Sequence, residues 1–211
     1  LMKSTGLVPV FYHSELETAK SIVNACFEAG INVIEFTNRG DFAQEVFADL
    51  KKYVRQEIPE LSLGVGSVMD ASTAALYMQL GSDFVVSPIL DETTGKVCNR
   101  RKVLWIPGCG SVSEISRAHE LGAEIVKIFP GAQVGGPGFV KAIRGPMPWT
   151  DIIPTGGVAP TEDNLRPWFE AGVCAVGMGS KLITKDLVKN KEFSKIKDQA
   201  GEALSIIQKL R

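Results

Sequence analysis

The sequence predicts an α/β chain, a single (β/α)8 TIM barrel spanning residues 1–211. Three observations lead there. Short β-rich runs alternate with longer amphipathic ones from end to end, one kind of helix-to-strand joint recurs, and no composition shift or Ser/Pro-rich linker divides the chain.

The first unit pairs the strand-forming run "LVPVF" (7–11) with a helix over 14–30. Leu16, Ala19, Ile22, Val23, Cys26 and Phe27 keep helical spacing there, with Ser14 placed to cap and Gly30 to stop it. "NVIEFT" precedes a helix from about Asp41 to Arg55, and "LSLGVGSV" one from about Ala71 to Leu80. "DFVVSP" is followed by helical sequence near 91–102, "VLWIPG" by a helix from Ser113 to Leu121, and "EIVKIFP" by one near 137–144. "DIIPTGG" leads to a helix near 161–171, and "CAVGMGS" to the C-terminal helical sequence. The joints "EAGINVIEF", "QLGSDFVVS", "ELGAEIVKI" and "EAGVCAVGM" each put a glycine where a helix ends, suited to a left-handed C-cap. Eight strands of this kind, nearly all apolar on both faces, favour a closed barrel over an open doubly wound sheet. Strand order, which separates the two, is not readable from sequence.

Composition narrows the function classes. The chain is 45% hydrophobic and 22% charged, enough for a substantial core. A formal net charge of −1 makes no electrostatic case for a nucleic-acid or membrane partner. Cys26, Cys98, Cys109 and Cys174 are scattered, without C-x-x-C pairs or histidines at ligand spacing, so reduced thiols and no metal site are expected. No apolar run reaches membrane-span length and the N-terminus lacks a signal pattern, so a cytoplasmic protein is expected.

Barrel active sites gather at the C-terminal ends of the strands, which directs attention to polar residues there. Lys127 interrupts the apolar run of "EIVKIFP". It must snorkel, pair with an acid, or lose its charge; desolvated, it becomes a nucleophilic amine able to form a Schiff base, as arginine cannot. Glu35 in "NVIEFTNR" poses the matching choice between an ion-pair partner for Lys127 or Arg39 and a general acid/base. "PTGGV" (154–158) and "GMGS" (177–180) end the last two strands, where these barrels bind phosphate through backbone amides, and Ser180 adds a hydroxyl. "GVGS" (64–67) and "GAQVGGPG" (131–138) read as tight turns on the same mouth. His13 follows the first strand; His119 is expected on a solvent-facing helix surface, Arg100, Arg101 and Lys102 at a solvated helix end, and Trp105, Trp149 and Trp168 in core or interface.

Together, "VIEFTNR", "GVGSV", "VVSP", "IPGCGSVSE", "VKIFPG", "GPGFVKAIRGPMP", "PTGGV" and "GMGS" resemble the 2-keto-3-deoxy-6-phosphogluconate aldolase family, which includes 4-hydroxy-2-oxoglutarate and phosphogalactonate-specific aldolases. The resemblance covers nearly the whole chain, in family order. It implies a class I aldolase with no cofactor and no metal, usually a homotrimer, acting on a small phosphorylated keto acid. Lys127 matches the Schiff-base lysine, Glu35 the proton-shuttling glutamate and Arg39 the arginine that binds the pyruvate carboxylate. Ser67 replaces the family threonine, Pro88 matches a substrate-pocket proline, and Thr155, Gly156, Gly157, Gly179 and Ser180 match positions around the phosphate end. Asn38, where the family often has an apolar residue, and a slightly long "GVAPTEDN" are departures. Outside the aldolases, the same barrel accommodates a sugar-phosphate isomerase or decarboxylase, or a phosphosugar-binding protein in which Lys127 and Glu35 are only a buried pair.

Overall fold

The computed structural model describes residues 1–211. A short α1 (Met2–Thr5) precedes β1 (Leu7–Phe11); there follow α2 (Leu16–Glu28), β2 (Val33–Thr37), α3 (Ala43–Glu57), β3 (Ser62–Gly66), α4 (Ala71–Gln79), β4 (Phe84–Val86) and α5 (Glu92–Arg101). Then come β5 (Leu104–Ile106), β6 (Gly108–Cys109), α6 (Val112–Glu120), β7 (Ile125–Ile128), α7 (Gly136–Arg144), β8 (Asp151–Pro154), α8 (Glu162–Glu170), β9 (Val176–Met178), α9 (Lys185–Lys189) and α10 (Phe193–Leu210). The alternation expected from the sequence is present, and all strand pairs are parallel.

The chain is thus an α/β fold with a curled parallel sheet. The ring of eight strands expected from the sequence resolves instead into two ladders, β5-β4-β3-β2-β1-β9 and β6-β7-β8. The break falls at Pro107, which has no N–H to donate and splits the fifth expected strand into β5 and β6. Its carbonyl still accepts the Lys127 N–H at 2.8 Å. Between β8 and β9, the contact is a parallel bridge from Thr155 to Gly177 and a Cys174 N–H to Ile152 O bond of 3.0 Å.

At the four recurring joints Gly30, Gly81, Gly122 and Gly172 have φ of 94°, 93°, 83° and 92°, the left-handed conformation that ends each helix. Ser14 does not cap α2: the N-cap is Glu15, whose carboxylate accepts from the Thr18 hydroxyl at 3.1 Å. Trp105 and Trp168 are core residues, whereas Trp149 is 68% exposed. Alternation along the strands sorts the apolar residues into two clusters. Ile34, Phe36, Leu63, Val65, Val126, Ile128 and Ile152 pack against the helices. Val8, Val33, Phe84, Val86, Ile106, Ile125 and Ile153 meet on the opposite, inner face, with Met2 of α1 joining them.

Candidate active site

One step further along the strands, the inner face turns polar. Glu35 is in phase with Val33 on β2, and Lys127 with Ile125 on β7, so both side chains point inward. They are 4% and 6% exposed, and Lys127 Nζ lies 3.4 Å from Glu35 Oε1 and 3.5 Å from Oε2. Of the three fates open to Lys127, the structure takes pairing with an acid. The contact is long for a charge-assisted hydrogen bond and shared between both oxygens. Nζ also sits 5.5 Å from the centroid of the Phe129 ring.

A glycine on the neighbouring strand makes room for Glu35, and a second one on that strand for Phe84. A Cβ at Gly66 would fall 1.8 Å from Glu35 Oε1, and one at Gly64 would fall 2.3 Å from the Phe84 ring. Both glycines belong to β3, so this part of "GVGS" is a strand with a bare inner face rather than a tight turn. Gly177 does the same for Thr155, whose Oγ1 would be 2.2 Å from an added Cβ.

Beyond the polar layer lies a cavity of about 750 Å³ at the C-terminal mouth of the strands. Arg39, Thr155, Gly156, Gly157, Gly179 and Ser180 line it, so most of the sequence-predicted residues do converge. Lys127 and Glu35 lie beneath, beside a void of about 10 Å³; Thr155 and Gly177 border both spaces. Ser67 joins through Arg39, whose Nε donates to Ser67 Oγ at 3.1 Å. Ser67 is held at φ 60°, a conformation rare for a residue with a side chain and one associated with functional positions. Pro88 is not brought in: it lies outside the cavity lining, its carbonyl packed where a Cβ on Gly108 would reach within 2.3 Å.

Sequence reasoning missed Lys181, Lys185 and Lys189, which line the same cavity. The spacing of Lys185 and Lys189 was the available signal, since residues four apart share one side of a helix such as α9; Lys181, in the turn before it, carried none. None of the three is ion-paired, and no Asp or Glu lines the cavity. His13 is at the rim, its Nδ1 accepting the Glu15 N–H at 3.0 Å. The mouth is therefore cationic in a chain whose net charge is −1.

Thiols do not compete as nucleophiles. Burial pushes Cys26 and Cys109 up to about 12, and Cys98 and Cys174 up to about 11, so all four stay protonated near neutral pH. No group of three or more His, Cys, Asp or Glu side chains is placed to hold a metal ion. No helix is long and apolar enough to cross a membrane.

The family described as "KDPG and KHG aldolase" matches residues 1–199. The KHG/KDPG aldolase of Escherichia coli (strain K12) is 31% identical over 203 residues, covering 95% of this chain and 92% of that protein. Among solved structures, the KDPG aldolase of Legionella pneumophila with pyruvate captured as a covalent carbinolamine intermediate superposes with a TM-score of 0.88 at 28% identity, over 96% of this chain and 95% of that one. The 2-keto-3-deoxy-6-phosphogluconate aldolase of Zymomonas mobilis ZM4 with 3-phosphoglycerate gives 0.82 at 27% identity, over 97% and 93%. The chain belongs to the KDPG and KHG aldolase family.

Proposed function

We propose that this chain is a class I aldolase that cleaves 2-keto-3-deoxy-6-phosphogluconate to pyruvate and glyceraldehyde 3-phosphate through a Schiff base on Lys127. The carrying observation is the Lys127 amine on the inner face, 3.4 Å from the Glu35 carboxylate and under a mouth lined by unpaired cations. Lys127 Nζ, deprotonated, adds to the C2 ketone, and the carbinolamine loses water to leave an iminium ion. Glu35 then takes the proton of the C4 hydroxyl, the C3–C4 bond breaks, and its electron pair flows into the iminium to give an enamine and the free aldehyde. Protonation of the enamine at C3 and hydrolysis release pyruvate and restore the amine.

Arg39, oriented by Ser67, binds the keto-acid carboxylate. Thr155, Gly156, Gly157, Gly179 and Ser180 receive the phosphate end, with Lys181, Lys185 and Lys189 adding charge. Pro88 takes no part in this assignment. The two ladders close as one eight-stranded barrel domain over 1–211, a reading supported by the continuity of β5 with β6 and the Thr155–Gly177 bridge. Homotrimer assembly is supported by exposed Phe42, Met69, Leu76, Ile89 and Val112, apolar side chains on successive loops and helix starts and on the body of α4.

A second reading, cleavage of 4-hydroxy-2-oxoglutarate to pyruvate and glyoxylate, is favoured by the same cations, which also suit a terminal carboxylate. Pyruvate release from the phosphorylated and the unphosphorylated substrate, measured side by side, ranks the two. Borohydride reduction in the presence of pyruvate tests the shared chemistry. A stable mass adduct on Lys127 is expected, and its absence refutes the Schiff base.

A further inference from the structure

Arg39 is a long, exposed side chain, and binding a carboxylate in a fixed pose requires its base to be held still. The sheet does not hold it. Asn38 makes the last bond to β3, its N–H donating to Gly66 O at 2.8 Å, and Arg39 already lies beyond the ladder. Its Nε is occupied by Ser67, which leaves the two terminal nitrogens of the guanidinium for a paired contact with a carboxylate.

The residues on either side of Arg39 are both fixed by tyrosines. Tyr77, on α4 and 1% exposed, donates its hydroxyl to Asn38 Oδ1 at 2.8 Å. Its ring packs edge-on against Phe47 at 5.0 Å, and Phe47 lies 5.9 Å from Phe36 on β2, so the hydroxyl is mounted on the rigid outer core. On the other side, Gly40 is pressed against Tyr12, whose hydroxyl would be 2.0 Å from an added Cβ. Burial, and then the nearby Tyr12, push the Tyr77 phenol up to about 12, so it stays a donor across the neutral range. A buried tyrosine hydroxyl needs a polar partner, and here the partner is the side chain adjacent to the arginine.

We infer that the Tyr77–Asn38 hydrogen bond positions Arg39 for the carboxylate of the keto acid, making Tyr77 and Asn38 positioning residues for substrate binding. This rests on the reading of Arg39 as the carboxylate contact. Tyr77→Phe removes only the hydroxyl and keeps the ring. It raises KM for the keto acid about tenfold while kcat stays within about twofold, the mark of a lost binding contact. The half-saturating pyruvate concentration in borohydride trapping rises by the same factor, whereas trapping of acetone, which has no carboxylate, is unchanged.

Two further variants separate positioning from stability. In Asn38→Leu/Tyr77→Phe both partners are apolar, so the melting temperature returns towards wild type while KM stays high. In an Arg39→Ala background, Tyr77→Phe adds nothing to KM. The inference is overturned if Tyr77→Phe leaves KM unmoved, or moves it equally with and without Arg39, while Arg39→Ala alone raises it. If Arg39→Ala itself leaves KM unmoved, the reading of Arg39 falls instead. Should Tyr77→Phe fail to fold, Asn38→Leu read by the same KM and trapping measurements decides the matter.

Discussion

Two lysines are buried in this protein, and they are held differently. Lys51, on the helical side of the sheet, is 3% exposed and closely bonded to Asp83 Oδ2. That same oxygen accepts the Leu63 N–H at 2.8 Å, so the carboxylate is pinned to the start of β3. Lys127 is 6% exposed, but stands 3.4 and 3.5 Å from the two oxygens of Glu35, with neither one preferred. The Asp83 side chain is 37% exposed and shares its charge with water; that of Glu35 is buried and does not. A lysine that ties a strand to a helix is clamped by a solvated, backbone-anchored acid. A lysine on the inner face, under a cavity, is balanced by a buried acid in loose contact, and so remains free to exchange that contact for another.

The strongest way to break this comparison is Lys127→Met. It lowers pyruvate release by roughly four orders of magnitude or more, the scale on which enzymes lose a nucleophile. A coupled assay for pyruvate checks it, and retained turnover would rule out the covalent route. Next is Asp83→Ala, which strands Lys51 as an uncompensated buried charge and destabilises the fold by about 3–5 kcal/mol. Urea unfolding measures that loss, and turnover per folded molecule stays at the wild-type value because Lys51 lines no part of the mouth cavity.

Smaller in effect is Gly66→Ala. Its Cβ takes the place of Glu35 Oε1, so the carboxylate has to shift by about an ångström, a misplacement worth roughly a hundredfold in kcat. Single-turnover rates report it, and a wild-type rate would mean that Glu35 is not the proton carrier. Smallest is Asp70→Ala, which involves no buried charge. Asp70 caps α4 by accepting the Thr73 N–H at 2.9 Å and hydroxyl at 2.7 Å, and its loss costs about 1 kcal/mol at neutral pH. The Thr73 N–H, then its hydroxyl, hold this carboxyl below the usual range. Its contribution is therefore present above the unfolded pKa and disappears as pH falls through the folded one, so melting curves of variant and wild type converge in acid.

Much of this was legible because it depends on local rules. Period two alone puts Lys127 in phase with Ile125 and Glu35 in phase with Val33, and the joint glycines mark where helices stop. What was not legible depends on neighbours distant in the chain. Gly64 and Gly66 read as turn residues because glycine weakens a strand, yet their purpose is set by Glu35 and Phe84 on adjacent strands. Pro107 stands within the run "VLWIPG" expected as a strand, and its effect on the hydrogen-bonding pattern depends on which strands flank it. Lys181, Lys185 and Lys189 carry no local mark of the site, because it is the turn after β9 that brings them over the mouth. Ser14 was the better cap by residue type, but the chain enters α2 one residue later.

The narrow space around the Lys127 amine has a mechanical consequence. At about 10 Å³ it is at the lower limit for one water molecule, far too small for the end of a keto acid. The void adjoins the mouth cavity along Thr155 and Gly177, so on the proposed chemistry the amine and the ketone meet at that shared edge, and Lys127 gives up its contact with Glu35 for the new bond. Each cycle then begins by parting this buried pair, and Glu35 has lost its cation at the moment a proton has to be taken.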